Sequence, residues 1–170
     1  MELQTFNALP ADEAAAAVRV WAAVPWWVDE LVAARPFGSV SDLERSAIDL
    51  AARWTAADLD AALAHHPRIG QRPTGTGADA DASRREQAAM SAATDDVAER
   101  MAAANAAYEE RFGRVFLIRA AGRSPEEMLA ALERRLGADD ATEAAEALEQ
   151  LREIAALRLH QTLTPPEETP

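Results

Sequence analysis

The sequence predicts an all-α fold: a single-domain compact bundle of about seven to nine helices. Three observations carry that prediction. Alanine is the commonest residue and aromatics make up only 5% of the chain, so helix propensity is favoured throughout and strands have little to build on. Helix caps and turn residues recur in step with apolar residues at helical spacing. Val115-Phe116-Leu117-Ile118 is the only β-like run, and without a partner it reads as a buried extended connector.

Taken in order, Leu3, Phe6 and Leu9 are placed to fold back over a first helix, which Pro10 opens as its first helical residue and which runs to about Ala23. Pro25 starts the next helix through Trp26, Trp27, Val28 and Leu31. Arg35-Pro36 ends it, because proline disfavours the helical conformation of the residue before it. Adjacent tryptophans on a helix cannot both face one core, so one belongs at an interface or a pocket edge. Ser41-Asp42-Leu43-Glu44 has the form of a capping box for a third helix with Leu43, Ile48 and Leu50 on its buried face. Thr55, with Asp58 three residues on, caps a fourth that ends at His65.

Between Gly70 and Ala82 the sequence Gln71 to Gly77 has turn residues and no periodicity, and Gln71 to Ala82 is expected to form a long loop bordering a site. Helical pattern resumes at Ser83 and restarts near Thr94, after which Val97, Met101, Ala104, Tyr108 and Phe112 make a buried stripe that Gly113 ends. Ser124, Pro125 and Glu127 form a complete helix start, and Gly137 stops that helix. A final amphipathic helix spans about Thr142 to Leu163, with Ala145, Leu148, Leu151, Ile154, Ala155, Leu159 and Leu163 on its apolar side. The expected domain is 1–163, followed by a disordered tail, 164–170.

Composition removes several kinds of chemistry. There is no cysteine, and all 17 basic residues are arginine. A thiol nucleophile, a thiolate metal site, a Schiff-base lysine and a phosphate-loop lysine therefore have no residue to use. A formal charge of -12 argues against nucleic acid or an anionic membrane as partner. No apolar run has the length of a signal peptide or a bilayer span, so a soluble, cytoplasmic protein is expected. Many arginines nevertheless fall between Arg68 and Arg123, where they can line a pocket for a small carboxylate or simply pair with nearby acids.

The candidate chemistry lies in His65-His66-Pro67-Arg68-Ile69-Gly70 and Ser83-Arg84-Arg85-Glu86-Gln87, at the two ends of one loop. Proline should make His66 leave its helix at the loop mouth, where it can work as an acid or base with Glu86 orienting it. Structural uses compete. Ser83-x-x-Glu86 is itself a capping-box pattern, and a histidine can end a helix by hydrogen bonding. Three scattered histidines without a His-x-x-x-His pair predict no metal site. Residue spacing stops there: a His/Glu site with arginines, its reaction unnamed.

Those two blocks, followed by Asn105-x-x-Tyr108-x-x-Arg111-Phe112-Gly113 and by Phe116-Leu117-Ile118 with Gly122-Arg123-Ser124, resemble the ordered signature blocks of the OHCU decarboxylase family. The resemblance covers nearly the whole chain. It implies cofactor-independent decarboxylation of 2-oxo-4-hydroxy-4-carboxy-5-ureidoimidazoline, a small ureide of urate degradation, to S-allantoin. It also implies His66 and Glu86 as catalytic residues, and substrate contacts at Pro67, Ser83 and Gln87 and along Ile118, Arg119, Ala120, Ala121 and Gly122. A homodimer is implied as well, for which the last helix offers a surface. Arg119 stands where the family often has a small or apolar residue. The competing expectation is a non-enzymatic acidic helical module that binds a partner protein through exposed tryptophans and the last helix.

Overall fold

A computed structural model describes residues 1–64, 68–69, 90 and 93–163. Eight α-helices account for most of them: α1 (Leu3–Ala8), α2 (Ala11–Trp21), α3 (Pro25–Ala33), α4 (Val40–Ala51), α5 (Ala56–Leu63), α6 (Asp95–Phe112), α7 (Pro125–Arg135) and α8 (Asp140–Leu163). Among the described residues there is no strand, and the fold is all-α as its composition predicts. No described helix is long and apolar enough to cross a membrane. The tail from 164 lies outside the described residues.

Local chemistry sets most of the boundaries. Thr55 and Ser124 close complete capping boxes with Asp58 and Glu127, and Thr94 accepts from the Val97 amide to start α6. Pro25 and Pro125 occupy first-turn positions, where the missing N–H is no loss. Gly113 ends α6 in the left-handed conformation (φ 68°), which a side chain would resist.

Four sequence expectations shift. Pro10 is the N-cap of α2 rather than its first residue, and the helix stops at Trp21. Residues 3–8, expected only to fold back, form a helix of their own, whose Phe6 stacks on Trp21 with ring centroids 5.6 Å apart. Ser39, not Ser41, caps α4 by accepting from the Asp42 amide at 3.1 Å. The buried residues of α4 are then Leu43, Ala47 and Ala51, four apart, which turns Ile48 outward to 59% exposure. On α8, Ala147 is buried and Ala145 exposed, and Glu143 and Gln150 take places on the buried side.

Two apolar cores result. The first gathers α1 to α5 and α8 around Trp21 and Trp27; the second joins α6 and α7 and includes Ile69. The neighbouring tryptophans separate as geometry demands. Trp27 is buried and donates to the Ala47 carbonyl at 3.0 Å, while half-buried Trp26 donates to Asp58 at 2.8 Å and stacks under Arg53.

The expected connector is what ties the cores together. Successive side chains of extended backbone point to opposite sides. Leu117 accordingly enters the first core, while Phe116 and Ile118 enter the second.

Candidate active site

The second core collects described residues of the first, third and fourth signature blocks. Ile69, from the first block, packs in one buried cluster with Tyr108 and Phe112 of the third and with Ile118 and Ala120 of the fourth; Met90, three residues past Gln87, packs against it. Blocks distant along the chain therefore meet in one place. His66, Pro67, Ser83, Glu86 and Gln87 lie outside the described residues, as does the expected loop from Gln71.

A cleft of about 440 Å³ opens at this core, lined by Arg68, Ile69, Met90, Met101, Asn105 and Glu109 among others. Its polar edge is held from α6. The Glu109 carboxylate takes the Arg68 guanidinium in a two-pronged pair, with Nη2 to Oε2 at 2.7 Å and Nε on Oε1. Asn105, 5% exposed, donates from Nδ2 to the Ile69 carbonyl at 3.1 Å. These three bonds fix both described residues of the first block against one helix, directly after the His66-Pro67 pair.

Beside the second core lies a fully buried ionic cluster. Arg135 and Glu143 are both 0% exposed; the guanidinium grips the carboxylate through Nε and Nη2 and reaches the Leu117 carbonyl through Nη1 at 2.8 Å. Tyr108 donates its hydroxyl to the same carboxylate. Burial pushes the Tyr108 phenol well above its ordinary range, and the neighbouring Glu143 adds to this, so it remains a donor. Arg135 also lies 4.6 Å above the Phe116 ring. The third block is thus largely architectural: Asn105 holds the first block, Tyr108 joins the buried cluster, and Arg111 ties α6 to the Ala138 carbonyl at 2.7 Å.

The fourth block begins in the connector and ends in a turn. Ile118 and Ala120 are buried, Ala121 is half-buried, and Gly122 is exposed at φ 79°. The Arg123 amide closes the turn on the Ala120 carbonyl at 3.1 Å. Arg119 does not extend into open space. Its guanidinium pairs with Glu153 at 2.7 Å and bonds the Ala121 carbonyl at 2.9 Å, and its amide donates to Gln150 at 3.0 Å. Among the described residues no cluster of three or more histidines and carboxylates could hold a metal ion.

Sequence reasoning passed over Glu143, Gln150 and Glu153. A signal for the first two exists: they occupy buried positions of an amphipathic helix in phase with Ala147, Ile154 and Arg158. A polar residue at such a position needs a partner.

The model of the OHCU decarboxylase family matches residues 7–160, nearly the whole chain. The chain belongs to the OHCU decarboxylase family. It is 35% identical over 142 residues to the 2-oxo-4-hydroxy-4-carboxy-5-ureidoimidazoline decarboxylase of Haloferax volcanii, covering 79% of each chain. The enzyme of that name from Amia calva is 35% identical over 134 residues, covering 78% of this chain and 77% of the relative. The uric acid degradation bifunctional protein PucL of Bacillus subtilis is 33% identical over 149 residues, 85% of this chain and 29% of that one. Among solved structures, an OHCU decarboxylase crystallised in the presence of (S)-allantoin superposes with a TM-score of 0.72 at 23% identity, over 85% of this chain and 94% of that one. At that identity the likeness speaks for the fold. The family's fold is this all-α bundle, and its first and third signature blocks meet at the cleft.

Proposed function

We propose that this protein decarboxylates 2-oxo-4-hydroxy-4-carboxy-5-ureidoimidazoline to S-allantoin in urate degradation, as a carboxy-lyase that uses no cofactor. The observation that carries the reading is the family match over residues 7–160, joined to the packing of residues from that family's first, third and fourth blocks in one core. The substrate provides its own electron sink, a ring imine beside the carbon that carries the carboxylate. As the carbon–carbon bond breaks, its electron pair moves into the ring toward that imine and carbon dioxide leaves. The resulting enol then takes a proton on one face.

His66, oriented by Glu86, handles the proton of the ring hydroxyl. Pro67, Ser83, Gln87 and the segment from Ile118 to Gly122 hold the ureide, and a shielded pocket favours loss of the carboxylate. Residues 1–163 act as one domain, 164–170 as its tail, and the protein works in the cytoplasm. A homodimer completes the proposal. The groove between α4 and α8 supports it, because there Ile48 stands 59% exposed beside Trp27 and Leu159.

Substitution at the two catalytic positions tests the reading. His66→Ala and Glu86→Ala are each expected to abolish turnover while the far-UV circular dichroism stays that of the parent. Turnover near the parent rate in both variants would remove the assignment.

A further inference from the structure

The segment from Ile118 to Gly122 enters a turn that three side chains hold from two directions. From α8, Gln150 accepts the Arg119 amide at 3.0 Å and Glu153 receives the Arg119 Nε at 2.7 Å. From within the segment, the Arg119 Nη1 curls back to the Ala121 carbonyl at 2.9 Å. Gln150 is 7% exposed, so its amide group is fixed by its surroundings and its oxygen is aimed at the connector. This one guanidinium thus joins the last helix to the middle of the turn.

The consequence lies in the peptide between Ala121 and Gly122. The carbonyl and the N–H of a trans peptide point in opposite directions. Binding the Ala121 oxygen on the Arg119 side therefore turns the Gly122 N–H to the other side. The conformation this requires is a left-handed one, and Gly122 has it at φ 79°. Gly122 is exposed, and among the described residues no acceptor meets its amide. An exposed backbone donor with no acceptor among the described residues is what a carboxylate or ureido oxygen binds.

We infer that Arg119, Gln150 and Glu153 are positioning residues, a clamp that aims the Gly122 amide at the anionic or carbonyl oxygen of the substrate. This rests on the decarboxylase reading and on the substrate contacts proposed for Ile118 to Gly122, and it assigns the Arg119 side chain to the turn rather than to the ligand. Because the clamp acts through a binding contact, its loss weakens substrate binding more than the chemical step.

Steady-state kinetics of variants test it, with the unstable substrate generated from urate in place. Arg119→Met keeps the aliphatic stem and removes both guanidinium bonds. Glu153→Ala removes the anchor, whereas Glu153→Gln keeps an acceptor for the same Nε. Arg119→Met and Glu153→Ala are expected to raise KM roughly tenfold with kcat within about twofold of the parent. Glu153→Gln should stay near the parent value, and all three should melt within a few degrees of it. Parent KM in Arg119→Met and Glu153→Ala, or a KM that rises only in step with lost thermal stability, would overturn the clamp alone. A parent protein that makes no S-allantoin would overturn the clamp together with the decarboxylase reading.

Discussion

Glu143 sits with its whole side chain out of water, where a carboxylate is tolerable only beside a compensating charge, and Arg135 supplies it. Removing one member of such a pair strands the other. Glu143→Ala is expected to cost about 3–5 kcal/mol, read from the denaturant midpoint. Tyr108→Phe keeps the ion pair and deletes one donor, which should cost about 1–2 kcal/mol near neutral pH. The phenol also gives an alkaline signature. Burial first, and then Glu143, raise its folded pKa above the unfolded value, so its contribution is complete below about pH 10 and falls as the pH climbs beyond that. With one tyrosine, no lysine and no cysteine in the chain, little else titrates there. The parent should lose stability above about pH 10 while Tyr108→Phe stays flat over the same interval; parallel curves would show that the phenol is ordinary.

At the scale of elements, the caps decide where helices begin, and each decides locally. Ser39→Ala should destabilise the protein by about 1 kcal/mol in thermal unfolding and Ser41→Ala by almost nothing, because Ser39 alone accepts from the first turn of α4. The reverse order would restore the boundary that the sequence first suggests. Two serines two residues apart, each followed by an acidic residue three positions on, present two registers; the packing of Leu43, Ala47 and Ala51 chooses between them. Thr55, Thr94, Ser124 and Gly113 offer one register each and were legible for that reason. The helical phase of Glu143 and Gln150 could be read along α8, but their partners could not, since these come from α7 and from the connector, far away in sequence. At the candidate site the fourth block was legible as an extended connector, but what its arginine holds depends on α8. His66, Pro67, Ser83, Glu86 and Gln87 stay where the sequence put them, as proposals.

Across the whole molecule, α8 links the two cores: Leu151, Ile154 and Leu159 pack in the first, while Glu143 reaches Arg135 and Tyr108 beside the second. The connector crosses between the same two cores with alternating side chains. This arrangement packs distant blocks of sequence into one core, and a single decarboxylase site beside that core is what the proposed function requires. The stereochemistry of the product tests it most directly. Urate is oxidised and hydrolysed in place to the unstable ureide, the purified protein is added, and the circular dichroism of the allantoin that appears is followed over time. The account predicts a rapid rise of the S enantiomer that scales with protein concentration. Racemic allantoin formed at the same rate with and without the protein would contradict it.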